Sequence, residues 1–112
     1  MKKNVSLEFT WEEAEVVKTA FECYLEQVHI LQLKVPAVDF DLQEKNFIVE
    51  AIELCKGAIY HEIDVLIYCP LEIKWVLYSV ATVAATIFIR EDQEHHLTHC
   101  LIKLLFAAQD GE

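Results

Sequence analysis

Residues 75–89 read WVLYSVATVAATIFI, the longest run of the chain without a charged residue. The run is shorter than the ~20 apolar residues that span a bilayer, and Lys74 and Arg90 flank it directly. Its β-branched residues would also suit a strand, but the alanines and the length favour a helix. We therefore predict a helix over residues 71–90 that lies at the centre of a helical domain.

Residues that form turns are scarce, because the 112 residues include two glycines and two prolines. An all-β sandwich or barrel needs many turns, so this composition favours a few long helices. A chain of this length can form one domain around a single core. The predicted fold class is all-α, a four-helix bundle or irregular helical domain with a short extended N-terminal arm.

Periodicity and capping residues give the boundaries of the predicted elements. Apolar and polar residues alternate from Val5 to Phe9, which predicts an extended arm over residues 1–9. Thr10 and Glu13 have the spacing of a capping box at the start of a helix. The four predicted helices span residues 10–33, 42–68, 71–90 and 92–108.

A second alternating segment, Val38 to Leu42, also leads into a helix, and Asp41 and Glu44 repeat the capping-box spacing. The two segments resemble an internal duplication. Independent capping sequences of the same type explain the likeness as well, and we favour that interpretation.

Gly57 lies inside the second predicted helix, where glycine costs about 1 kcal/mol relative to alanine. Its presence indicates a bend or a close contact with a neighbour. If the helix is continuous, Glu62 falls on the apolar face and needs a partner such as Lys74, Arg90 or His29. We favour the alternative, in which a bend at Gly57 turns Glu62 outward.

The charge balance restricts the kinds of partner. The formal net charge is −10, from 19 acidic and nine basic residues, which disfavours direct binding to nucleic acid or to an anionic membrane surface. A protein partner with a basic surface fits this charge. Such a partner could dock on the acidic stripe of the first helix, although such stripes are more often simply solvated. The stripe consists of Glu12, Glu15, Glu22 and Glu26.

Cysteine usage indicates a reducing compartment. The four cysteines lie far apart in the sequence, each among apolar neighbours, and none forms a Cys-x-x-Cys pair. The first residues do not resemble a secretory signal. We expect buried free thiols and a cytoplasmic location.

Three histidines fall in the segment EHHLTHC, residues 94–100. His95 and His99 are four residues apart, so they share a helix face and could chelate one ion. His96 and Cys100 form a second pair with the same spacing but point in a different direction, so each pair is only half of a zinc site, and no other clustered pair exists in the sequence. We therefore predict no metal and no cofactor here, and keep a metal on His95 and His99 as a minor alternative.

The last predicted helix has two apolar sides. Its core stripe includes Cys100 and Leu104, whereas Ile102 and Phe106 fall on the opposite side, in line with His95 and His99. One bundle core covers only one side. The arm or another protein must cover the second, and we favour a self-association or partner surface made by His95, His99, Ile102 and Phe106.

The sequence contains no nucleophile–base pair, glycine-rich phosphate loop or paired-carboxylate motif, so we predict no catalytic residues and no enzymatic activity. The expected function is a small acidic protein-binding module, acting stoichiometrically as an inhibitor, immunity, anti-defence or adaptor protein of phage or bacterial accessory type. It is expected to form a homo-oligomer such as a homodimer. The alternative is a helical bundle that binds a metal or small ligand on the face of His95 and His99.

Overall fold

A computed structural model of the chain describes residues 4–35, 42–87 and 94–109. These residues form four helices and a two-stranded antiparallel sheet, so a helical domain is confirmed, although a four-helix bundle in particular is not. Within the described ranges, no helix has the length and apolar character that a membrane crossing requires. The elements are β1 (Asn4–Phe9), α1 (Trp11–Lys34), α2 (Leu42–His61), β2 (Val65–Pro70), a 3₁₀ turn (Leu71–Ile73), α3 (Trp75–Ile87) and α4 (Glu94–Gln109).

The predicted arm is the strand β1, and it pairs with β2. Leu7 lies opposite Ile67 in the antiparallel register, and Asn4 lies opposite Pro70. Alternate residues of both strands are buried, which confirms the period of two predicted for β1. The prediction that the second helix continues to residue 68 is wrong, because β2 occupies the end of that range.

The second helix stops at Glu62, which has a left-handed φ of 54°. The Ile63 N–H donates to the Ala58 carbonyl at 3.0 Å, and the Glu62 N–H donates to the Ile59 carbonyl at 3.4 Å. These two bonds form a Schellman motif, which usually places glycine at the left-handed position. Glu62 is exposed as expected, and it lies just beyond α2, which runs through Gly57 to His61 as one continuous helix.

The third helix, α3, is buried on one side and exposed to solvent on the other, so it is not enclosed at the centre of the domain as predicted. Val76, Leu77 and Val80 are fully buried, whereas Trp75 and Tyr78 on the outer side are about half exposed. Thr82 and Thr86 are also exposed, and their hydroxyls donate to backbone carbonyls one turn earlier. Helix α3 therefore has a buried side and an exposed side, although its composition is apolar throughout.

Most of the predicted core residues are buried. Leu31 of α1 and Leu105 of α4 are exposed, and five others are only partly buried: Tyr24, Leu25, Val28, Ile59 and Leu101. Pro36 to Asp41, Phe88 to Gln93 and Asp110 to Glu112 lie outside the described residues, as does Asp41 of the second capping box. The buried predicted residues include Ala14, Val17, Phe21, Phe47, Ile48, Ala51, Ile52, Cys55, Ala58, Cys100, Leu104 and Ala108.

The chain folds as two β-α-α halves, β1–α1–α2 and β2–α3–α4. Leu7 and Ile67 are paired with each other and hold the same position in their halves. The second helix of each half contacts the strand of the other half. This correspondence differs from the duplication considered from the sequence but not favoured there, which used the segment Val38 to Leu42. Equivalent buried residues are Val5 and Val65, Leu7 and Ile67, Phe9 and Cys69, Val16 and Val76, Val17 and Leu77, Ala20 and Val80, and Phe21 and Ala81.

We predict that Glu62→Gly stabilises the protein. Glycine adopts the left-handed conformation without the ~1–2 kcal/mol cost of a side chain, and its greater freedom in the unfolded chain offsets part of that gain. The expected increase in the free energy of unfolding, measured by urea denaturation, is about 0.5–1 kcal/mol. Lys56→Gly in the interior of α2 is the matched control and should lower stability; a loss of stability in both variants would contradict the prediction.

Candidate functional site

The start of α1 is organised around Glu13, whose side chain is buried although it is charged. The Thr10 N–H donates to Glu13 Oε1 at 2.8 Å, and the Glu13 N–H donates to Thr10 Oγ1 at 3.2 Å. This reciprocal pair confirms the predicted capping box. Glu13 is 2% exposed, so its carboxylate lies inside the fold rather than at the surface where capping residues usually lie.

Three residues of α4 meet Glu13. The Lys103 ammonium lies 2.7 Å from Oε1 and 5.5 Å from the centre of the Phe9 ring. The Cys100 thiol donates to the Glu13 backbone carbonyl at 3.5 Å, and His99 Nδ1 lies 3.8 Å from Oε2. These contacts tie α4 to the junction of β1 and α1.

The ion pair keeps the buried carboxyl ionised. Burial alone would raise the pKa of Glu13, but the hydrogen bond from Lys103, the backbone hydrogen bond from Thr10 and the charge of Lys103 outweigh it and lower that pKa. The equivalent residue in the second half is Ile73, which is buried. An apolar residue thus suits this position in the fold. The carboxylate of Glu13 in addition binds Lys103 of α4.

The outer α4 face, which we define as His99, Ile102 and Phe106, begins beside this attachment, where His99 lies against Glu13, and continues along α4 to Ile102 and Phe106. Ile102 is 46% exposed and Phe106 is 67% exposed, so neither the arm nor any other described element covers them. His95 was predicted to belong to the same face, but its side chain lies outside the described residues. The structure therefore places the described members of the predicted association surface together and in contact with solvent.

The fold itself does not require apolar residues on this face. Buried residues of α2 and α4 match in order: Glu44 with Cys100, Ile48 with Leu104, Ala51 with Ala107, and Ile52 with Ala108. In this alignment Ile102 corresponds to Asn46 and Phe106 to Glu50, both exposed polar residues. The two halves share their inner pattern and differ on this surface.

The acidic stripe predicted on α1 is also open to solvent. Glu15, Glu22 and Glu26 are exposed, and Glu12 is partly exposed. Lys18 bridges to Glu22 at 3.1 Å on the helix surface. The positions of α3 equivalent to Glu15, Glu22 and Glu26 are Trp75, Thr82 and Thr86, so the corresponding outer face of the second half is uncharged.

No metal site is formed by the described side chains: within residues 4–35, 42–86 and 98–109, no three His, Cys, Asp or Glu residues are grouped so as to hold an ion. The predicted His95–His99 chelate is not tested by this, because the His95 side chain lies outside those ranges. His99 Nδ1 lies 3.8 Å from Glu13 Oε2, and the other oxygen of that carboxylate is engaged by Lys103.

A cleft of about 720 Å³ lies between α1 and α2, and the sequence did not reveal it. Leu25 and Ile52 contribute apolar surface, and Glu26, His29 and Lys45 contribute charged or polar groups. Its volume falls in the ~300–1,000 Å³ range of small-ligand sites. The cleft does not include His99 of the predicted ligand face.

All four cysteines are free, and three of them are buried as expected. Cys55, Cys69 and Cys100 are fully buried, and Cys23 is partly exposed. Burial raises the pKa of Cys55, of Cys69 and of Cys100 to about 12. These three thiols therefore remain protonated at neutral pH and are poor nucleophiles.

We predict that Lys103→Met destabilises the protein at neutral pH by about 2 kcal/mol, because it leaves the buried Glu13 carboxylate without its cation. The estimate is below the ~3–5 kcal/mol of a fully buried pair because Lys103 is partly exposed. Chemical denaturation measures the loss. Lys56→Met, which removes an exposed ion pair with Glu53, is the control and should change stability by less than about 0.5 kcal/mol.

The loss of folding stability caused by Lys103→Met should depend on pH. The pKa of Glu13 is lower in the folded chain than its ordinary 4.5, so the ionised group stabilises the wild type above about pH 4.5. That contribution is lost as the pH falls through the lowered folded-state pKa. In the variant the pKa of Glu13 rises, so acid relieves the cost of the buried charge. The stability difference between the two proteins should therefore narrow on acidification, and a constant difference would contradict the assigned role of Lys103.

We also predict that iodoacetamide modifies the folded protein at one cysteine, Cys23, while all four react after denaturation in guanidinium. The reason is the burial and raised pKa of Cys55, Cys69 and Cys100. Mass spectrometry of the intact protein and of its peptides gives the number and position of the labels. Rapid labelling of Cys100 in the folded protein would show that α4 is not held against Glu13.

Comparison with known proteins gives no relative from which a function could be transferred. The chain matches no protein-family model, no curated protein and no solved structure. The function must therefore be argued from the contacts and surfaces of the chain itself.

Proposed function

We propose that the protein is a non-catalytic protein-binding module that acts stoichiometrically, as an inhibitor, immunity, anti-defence or adaptor protein, and self-associates through the outer α4 face. The observation that carries the proposal is the exposure of Ile102 and Phe106, one turn apart on a helix that Lys103 and Cys100 hold in place. Large apolar side chains clustered on a surface favour burial against a partner.

The comparison of the two halves supports this function. Asn46 and Glu50 show that polar residues suit the outward positions of such a helix. Ile102 and Phe106 at the equivalent positions lose favourable burial in the monomer, at roughly 25 cal/mol per Å² of apolar area. Contact with another molecule would bury Ile102 and Phe106 and recover this free energy.

Charge favours a second copy as the occupant. Two molecules of net charge −10 repel each other over most of their surfaces. From Thr98 to Gln109 the only charged side chain is Lys103, apart from the titratable His99. Two copies of this segment can therefore approach without opposing carboxylates, and a twofold arrangement would use the same face of both copies.

The acidic stripe on α1 stays available in such a dimer for a partner of opposite charge. Glu15, Glu22 and Glu26 lie on a helix other than α4, and an exposed row of carboxylates attracts Lys and Arg side chains over nanometre distances at low salt. We propose that the functional partner of the dimer carries a basic surface. Self-association and partner binding then use different helices.

We predict that Ile102→Asp combined with Phe106→Asp gives a monomer, whereas the wild type is a dimer. Two carboxylates on the outer α4 face remove its apolar area and bring like charges together across a twofold contact. Light scattering coupled to size-exclusion chromatography, at several protein concentrations, measures the mass.

Val49→Asp is the matched control. Val49 is an exposed apolar residue of α2 at the position equivalent to Leu105, so it should leave the dimer intact. A wild type that remains monomeric at every concentration would rule out self-association, and dissociation of the Val49→Asp protein would place the contact elsewhere.

A further inference from the structure

Gly57 has no role inside the described fold. A Cβ atom added at this position would meet no atom within 4 Å. The helix α2 passes through it without a break, from Leu42 to His61. Glycine weakens a helix interior relative to alanine, so the chain retains a destabilising residue that close packing within the described fold does not explain.

The glycine lies in a shallow groove between α2 and the chain that leads into β2. Leu54, Gly57 and Ala58 lie on one side of α2 by their spacing, and His61 continues that side. Ile63 and Leu66 form the opposite wall, and the groove has a volume of about 360 Å³. Gly57 thus leaves bare backbone along the groove.

The walls of the groove are apolar and exposed. Leu54 is 40% exposed, Ile63 is 56% exposed and Leu66 is 46% exposed. Leu66 lies on the outer face of β2, where Tyr68 continues the apolar surface two residues later. This patch is formed by different elements from the outer α4 face.

The rim of the groove is acidic. Glu53 and Asp64 line it, and Glu62 precedes Asp64 in the turn after α2. Lys56 pairs with Glu53 at 3.3 Å and offsets one of these charges. The C-terminal end of α2 adds partial negative charge at the same place. Cationic side chains are therefore favoured around an apolar centre.

We propose that this groove binds one amphipathic helix of a partner protein, with its apolar face against Leu54, Ile63 and Leu66 and with Lys or Arg residues over the acidic rim. The absence of a side chain at Gly57 lets the backbone of the bound helix approach α2 closely. Binding of a helix in a groove through residues spaced by three and four is a common recognition mode. This surface is separate from the one proposed for self-association, and neither proposal requires the other.

The test uses a fluorescein-labelled helical peptide with leucines at positions i, i+3, i+4 and i+7, alanine between them and lysines on both flanks. Anisotropy titration against the full chain measures its Kd. Gly57→Ala should raise the Tm of the protein, since alanine favours the helix, and weaken peptide binding about tenfold. A stabilised protein that loses affinity separates a contact at Gly57 from damage to the fold.

Three controls complete the test. Asn46→Ala, an exposed change on α2 outside this groove, should leave the Kd unchanged, and Leu66→Asp should abolish binding. A peptide with glutamate in place of each lysine should not bind. Equal affinity of the wild type and Gly57→Ala, no binding by the wild type, or equal binding of the glutamate peptide would overturn the proposal. So would an altered oligomeric mass in Gly57→Ala with unchanged peptide affinity, which would assign the groove to a second copy.

Discussion

The ion pair between Glu13 and Lys103 determines how the two ends of the described chain meet. Glu13 caps α1 through Thr10, and the same buried carboxylate holds Lys103 while its backbone carbonyl accepts the thiol of Cys100. A buried carboxylate without its cation is costly, so α4 is favoured in the rotation that keeps Lys103 in reach. That rotation leaves Phe106 in solvent. The buried ion pair of Glu13 with Lys103 and the exposure of Phe106 thus both follow from this one orientation of α4.

The fold could be predicted from the sequence where the signals are local. The capping box of Thr10 and Glu13, the alternation in β1 and the apolar spacing of α1 and α2 each lie within a few residues, and the structure contains them. The strand β2 could not be found this way, because its exposed residues Leu66 and Tyr68 are as apolar as its buried ones. Its start was also concealed, since α2 ends at a glutamate in a conformation that usually indicates glycine.

The exposed side of α4 could be predicted from the spacing of its apolar residues alone, because successive residues of a helix are separated by a fixed angle. The ion pair that holds α4 in this orientation could not be predicted from the sequence, because Glu13 and Lys103 are 90 residues apart and neither has a local signal of pairing. Gly57 was recognisable as unusual, but its groove exists only because β2 follows α2, and β2 was missed. The one signal that could have found β2 is the likeness of the buried residues in β1–α1 to those in β2–α3.

The pairing of β1 with β2 brings together segments that a whole β-α-α half separates along the chain. Closing a loop of that length costs entropy before any of the strand contacts form, and a fold with such non-local contacts forms more slowly than an up-and-down bundle of the same size. The attachment of α4 to the start of α1 spans the chain even further, since Glu13 and Lys103 are 90 residues apart. Contacts of both kinds lengthen the time that the chain needs to fold, relative to a bundle held together by neighbouring helices.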